Sequence, residues 1–176
     1  MKQQKKNKKL KSIPLDLPIN IDGSSFEFKQ AKIDRDTSIN AEALPDQSGI
    51  YIFVTKNKFK MASSVFYKEV TGVFQKNNTE YRAIVSVPPY NGALNEGELI
   101  FDKDKIFYIG SACSIKSRIC EHWNSEKINN TTSLKLGFSS RKPVKKHLKL
   151  YYICIEKGYR KIESALRKEY GSYFGK

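Results

Sequence analysis

At Gly110 the apolar residues of this chain change period, and that change limits the available folds more than any other feature. Before it, apolar and β-branched residues gather in short runs bounded by turn formers. Gly49–Thr55 is one such run, closed by the polar Lys56-Asn57-Lys58, and it reads as a buried strand. Glu98–Phe101 and residues 106–110 are two more, separated by a polar turn at 102–105. Beyond Gly110, Ile115, Ile119, Cys120 and Trp123 recur at helical spacing, with Ser111 or Ser114 available as the N-cap. A strand running straight into an amphipathic helix predicts an α/β or α+β domain, with a small mixed or antiparallel sheet flanked by helices.

The remaining chain fits this class. Pro14, Pro18, Asp22-Gly23 and Pro45 break residues 13–48 into loops, with one short strand at 25–29. Residues 65–74 and 81–87 are strand-like, and Asn77-Asn78 between them suits a hairpin turn. Pro88-Pro89 and Asn91-Gly92 mark further turns. A basic helical turn at 144–150, a strand at 150–155 and a last helix from about 159 to 174 complete the order. No apolar run approaches the roughly 20 residues that span a bilayer, so no membrane partner is expected. The first lysines lack a following apolar stretch and do not read as a secretory signal. Cys113, Cys120 and Cys154 are odd in number and lack a second ligand pair for zinc, which points to reduced thiols and a cytoplasmic location.

Charge supplies the first functional clue. Thirty-two Lys and Arg against eighteen Asp and Glu give a net charge of +14, a field that attracts polyanions. Nucleic acid is the usual partner, since each neutralised phosphate releases counterions. Part of the excess lies in Lys2, Lys5, Lys6, Lys8, Lys9 and Lys11, so residues 1–12 read as a disordered basic arm. A second concentration comprises Arg141, Lys142, Lys145, Lys146, His147 and Lys149.

Two triplets carry the chemistry, Gly49-Ile50-Tyr51 and Tyr108-Ile109-Gly110. Arg118 follows Gly110 by eight residues and His122 follows it by twelve. Residues 108–122 resemble, almost position by position, the strand, loop and helix of the GIY-YIG nucleases. The spacing has a physical sense. Tyrosines on neighbouring strands can point into one groove, and Arg118 and His122, four apart, share one helical face. An arginine fork suits a phosphate, because it donates bidentately and keeps its charge.

The resemblance implies a GIY-YIG nuclease domain over 49–176, with 13–48 as an N-terminal extension and a β-rich subdomain inserted at 56–105, where the family usually has a short loop. It implies hydrolysis of DNA phosphodiesters with Mg2+ (or Mn2+) held by one carboxylate on a late helix. Glu169 is the first candidate. It completes the family's Ala165-Leu166-x-x-Glu pattern and falls inside the stripe Ile162, Ala165, Leu166, Tyr173, where an unpaired charge needs a partner. Glu163, at the stripe's edge, is the second. Tyr51 or Tyr108 would position and deprotonate the attacking water, His122 would assist, and Arg118 would stabilise phosphoryl charge. Lys116, Arg141, Lys142, Lys145 and Lys146 are the expected DNA contacts. Many members carry an Asn twelve residues beyond the metal-binding Glu; from Glu163 that position is Gly175, and from Glu169 it falls past Lys176. With no attached zinc finger or helix-turn-helix, the chain looks like the family's small restriction endonucleases. That implies double-stranded DNA as substrate, a homodimer or paired action on symmetric sites, and a companion DNA methyltransferase. The alternative is a catalytically weak nucleic-acid-binding protein that keeps the fold.

Overall fold

The computed structural model describes residues 10–15, 18–34, 36–67, 71–76, 79–84, 90–91, 94–95, 97–124 and 133–175. The expected basic arm at 1–9 and the Asn77-Asn78 and Pro88-Pro89 turns lie outside them. In chain order the elements are β1 (Ile19–Ile21), β2 (Ser24–Phe26), β3 (Lys29–Ala31), β4 (Gly49–Thr55), β5 (Phe59–Ala62), α1 (Ser64–Tyr67), β6 (Thr71–Lys76), β7 (Thr79–Ile84), β8 (Leu94–Asn95), β9 (Glu98–Phe101), β10 (Ile106–Ala112), α2 (Ile115–Trp123), α3 (Lys142–Lys145), β11 (Leu148–Cys154) and α4 (Tyr159–Tyr170). Four antiparallel strands in the order β10-β4-β11-β3 make the central sheet. The fold is mixed α+β.

All seven residues of β4 are buried, which explains an unbroken apolar run instead of alternation. Its side chains divide between two layers. Tyr51 and Phe53 face the core shared with Ile115, Ile119 and Trp123 of α2, and Ile50, Ile52 and Val54 face the core containing Leu166 of α4. Each such side chain, fully buried, contributes roughly 1.5–3 kcal/mol. In β10 the register shifts between Ile106 and Tyr108. Phe107 and Tyr108 therefore both join the α2 layer, as expected of a bulge that adds one unpaired residue.

The two motif strands pair directly, Gly110 opposite Tyr51 and Ala112 opposite Gly49. Glycine is required at 49 for a local reason. A Cβ there would collide with the Ile153 carbonyl oxygen of β11 and lie 2.8 Å from Ile115 Cδ1 of α2.

The intervening segment forms a three-stranded sheet, β5-β9-β8, and a separate ribbon, β6-β7. The ribbon closes on the pair Lys76↔Thr79. Phe59, Phe66, Leu99 and Phe101 enter the α2-side core, so the inserted segment shares the core of the sheet it interrupts. Phe66 sits in helix α1, where a strand is predicted. Its ring fills the space beside Phe107 and Phe174, and tertiary packing overrides the β-propensity of Val65 and Phe66.

Three further expectations are corrected. Residues 13–48 contribute more than loops, because β1 and β2 form a hairpin about Asp22 and Gly23, both at positive φ, and β3 extends the central sheet. Lys11 and Ser12, read as the end of a disordered arm, are docked: Lys11 N donates to Tyr170 O at 3.0 Å, and Ser12 bridges Lys105. The last helix ends at Tyr170, since Gly171 adopts φ 72°. The chain then returns along β10, with Tyr173 N and Phe174 N donating to Ile106 O and Phe107 O at 2.9 Å each.

Gly49→Ala is expected to destabilise the protein by at least about 2 kcal/mol, because the new methyl meets strand backbone that cannot yield. Urea unfolding measures this directly; an unchanged midpoint would contradict the β4–β11 register.

Candidate active site

Tyr51 reaches its position because Gly110 has no side chain. A Cβ on Gly110 would overlap the Tyr51 hydroxyl and stand 2.5 Å from its Cζ, so the phenol lies directly on the backbone of β10. From there its Oη is 2.9 Å from His122 Nε2. The other ring nitrogen, Nδ1, accepts the Leu134 backbone N–H at 2.9 Å. A peptide N–H can only donate, so Nδ1 is bare and a neutral ring carries its proton on Nε2. His122 therefore donates to Tyr51.

The ring is neutral for electrostatic reasons. Burial and the nearby charges of Arg118 and Lys135 hold His122 well below its ordinary 6.5. Burial also pushes the Tyr51 hydroxyl well above 10, with Tyr108 adding to the rise, while the charge and hydrogen bond of Arg118 pull it back. Tyr108 lies beside this pair, its ring 6.1 Å from Tyr51 and 4.8 Å from His122. At 8% exposure against 1%, Tyr108 is the more open phenol of the two.

Helix α2 delivers Arg118 and His122 together. Ser114 caps it, its Oγ accepting Ser117 N at 3.1 Å, and Ile115, Ile119 and Trp123 anchor it to the sheet. Arg118, half-buried, also pairs with Glu121 one turn on. Burial opposes its charge, and Tyr51 and Glu121 more than offset that.

On the other side of β10, helix α4 presents Glu163 and Arg167. Ser111 Oγ donates to Glu163 Oε2 at 2.5 Å, and Arg167 Nε donates to Oε1 at 2.9 Å. Arg167 also donates to Ile109 O and stands 5.5 Å from the centre of the Tyr108 ring. Glu163 and Arg167 thus grip β10 at Ile109 and Ser111, on either side of the Gly110 that carries Tyr51. Gly175 closes the cluster. A Cβ on Gly175, the position where an Asn was sought, would meet the movable end of the Arg167 side chain.

Searches against family models, curated proteins and solved structures returned no match. The chemistry of the site rests on its own geometry.

That geometry corrects three expectations. Glu169 is not in the cleft: its side chain is 58% exposed and pairs with Lys11. Because α4 stops at Tyr170, Tyr173 leaves the helix, and the inward stripe becomes Tyr159, Ile162, Leu166 and Tyr170. Glu163, beside that stripe, is the α4 carboxylate that reaches β10, at Ser111. Arg141 is 1% exposed and spends its donors on backbone carbonyls, so it is not a surface DNA contact. Lys145 is 8% exposed with its ammonium 5.5 Å from the Trp123 ring centre, for the same conclusion. Lys142 and Lys146 are exposed, and Lys116 pairs with Glu42 at 3.0 Å.

The sequence concealed Ser111, Glu121, Leu134 and Arg167. Glu163 with Arg167 and Arg118 with Glu121 are i,i+4 and i,i+3 pairs, a signal that was present in the chain. Among the described residues no three His, Cys, Asp or Glu gather. Of the two ion-paired carboxylates here, Glu121 and Glu163, it is Glu163, on the late helix, that the resemblance would give to a hard divalent ion. Each Glu163 oxygen accepts one hydrogen bond and retains acceptor capacity, and the side chain is 20% exposed. Such a donor suits Mg2+, which keeps several waters around one or two carboxylates.

The neutral His122 carries a pH signature. Its folded pKa is depressed, so below about 6.5 the unfolded chain takes up a proton that the folded chain refuses. Stability present at neutral pH is lost as pH falls from there toward the folded value. His147 is lowered too, so the comparison needs a variant. Urea midpoints followed from about pH 8 to about pH 5 are expected to fall more steeply in the wild type than in His122→Gln.

Proposed function

We propose that this chain is a metal-dependent DNA endonuclease of GIY-YIG type that hydrolyses phosphodiester bonds in double-stranded DNA. The observation that carries the reading is the gathering, about Gly110, of two phenols, a neutral histidine and an arginine on one side of β10 and a carboxylate on the other. Arg118 stabilises charge on the phosphoryl oxygens, which its planar fork can do bidentately. Tyr108, the more open phenol, positions the attacking water and takes its proton. Tyr51 is the inner partner: held on Gly110 and receiving the His122 Nε2–H, it fixes the guanidinium of Arg118. Glu163 would hold Mg2+ or Mn2+, which supplies Lewis-acid stabilisation of the departing oxygen when bound. Arg167 and Ser111 hold that carboxylate beside Gly110.

The reading extends to a type II restriction endonuclease, acting as a homodimer or in pairs on symmetric sites beside a companion DNA methyltransferase. The inserted segment is where sequence selection would arise. The rival, a catalytically weak nucleic-acid-binding protein, draws on the absent Asn.

Nicking of supercoiled plasmid with magnesium, against an EDTA control, tests the reading. The wild type should cut. Arg118→Ala and Glu163→Gln should each lose about 10²-fold or more in rate, while Glu169→Gln should cut as the wild type does. Wild-type cleavage by Arg118→Ala would sink the assignment, and binding without cleavage in any divalent metal would favour the rival. Discrete fragments are expected; uniform degradation would exclude a restriction enzyme. Deleting residues 1–12, with their six lysines, should flatten the salt dependence of DNA affinity.

A further inference from the structure

Arg141 is among the largest fully buried side chains of the protein. Taking a guanidinium out of water costs several kcal/mol, and a Met or Leu would fill much of the same volume without that cost. Its directed donors therefore ask for an explanation. Nε donates to Val65 O at 2.9 Å and Nη2 to Phe66 O at 3.2 Å, both in α1 of the inserted segment. Nη1 donates to Leu134 O at 3.1 Å. The rings of Phe66 and Phe138 lie 5.5 and 5.7 Å from the guanidinium carbon. One cation thus ties two stretches of chain that share no strand or helix.

Leu134 is the residue whose N–H occupies His122 Nδ1. The same stretch meets α2 once more through Leu136 N, which donates to His122 O at 2.7 Å. Arg141 thus bonds the carbonyls of α1 and of Leu134, and across the Leu134 Cα the N–H of the same residue bonds His122, which reaches Tyr51 Oη. The polarity is set at one point. With Leu134 N–H on Nδ1, the His122 proton must sit on Nε2; if Leu134 turned away, the two tautomers would compete and Tyr51 would lose its fixed donor.

We propose that Arg141 is a positioning residue: by holding Leu134 against the inserted segment, it keeps the Leu134 N–H on His122 and the His122 Nε2–H on Tyr51. The inserted segment, where DNA selection would arise, is then wired to the phenol that fixes Arg118. The effect on turnover rests on the nuclease reading; the effect on His122 does not.

The two are measured separately. Long-range proton–nitrogen NMR on the full chain without DNA reads the His122 tautomer directly. The wild type should show Nε2 protonated alone, and Arg141→Met should show both tautomers. In plasmid cleavage Arg141→Met should lose about tenfold to a hundredfold in kcat with KM near the wild-type value. Arg141→Lys, which keeps the charge but not the planar fork, should recover part of both signals. A single Nε2-protonated tautomer in folded Arg141→Met overturns the proposal. If that variant does not fold, Arg141→Lys carries the test, and a wild-type tautomer ratio with wild-type kcat overturns it there. A wild type that shows the tautomer contrast yet cuts no DNA would remove the nuclease reading and leave the positioning role in place.

Discussion

The phenol end of Tyr51 abuts a peptide backbone, at the one glycine of β10. Much else is arranged around that contact. It sets Gly110 opposite Tyr51 in the ladder, and so the register of both motif strands. It brings Oη to His122, which in turn requires helix α2 to leave β10 at the angle that Ile115, Ile119 and Trp123 establish. Because β10 is the edge of the central sheet, residues from α4 can close on the same backbone from the opposite face. The bare glycine lies between the Ile109 and Ser111 contacts that α4 makes from that face.

The parts legible in the sequence were those encoded within about fifteen residues. The period change at Gly110, an N-cap at Ser111 or Ser114, and Arg118 and His122 on one helix all follow from local spacing; the structure puts the cap at Ser114 and both side chains on α2. The two glycines were legible as motif members, but their physical cause was not. It depends on Ile153 and Tyr51, which only pairing brings near. The choice between Glu163 and Glu169 turned on where α4 stops. A stripe drawn through Tyr173 selects Glu169; a helix ended by Gly171 selects Glu163. Arg141 and Lys145 read as surface cations because sequence shows charge but not depth. The strand predicted across Val65 and Phe66 failed because a buried aromatic cluster outweighs local propensity there.

Net charge is also worth less as a map than as a total. Of the basic concentration between 141 and 149, Arg141 and Lys145 are turned inward, and Lys135 is buried close by. Arg141 and Lys145 are therefore not offered to a phosphate backbone. Of the buried cations, Lys135 acts on His122, whose proton affinity is reduced by burial first and then by Arg118 and Lys135. Burial among cations thus keeps the histidine unprotonated.

The return of the chain after Gly171 has a consequence in time. Phe174 is wholly buried among Phe66, Phe101 and Phe107, and its N–H extends the hydrogen bonding of β10. During synthesis the α2-side core stays unfilled until residue 174 has emerged from the ribosome, after every residue of the site has already been translated. Arg167, which steadies Glu163, acquires its Ser172 partner only in the same closing step. A chain cut before Phe174 would hold Tyr51, Tyr108, Arg118, His122 and Glu163 and lack the packing that orders them.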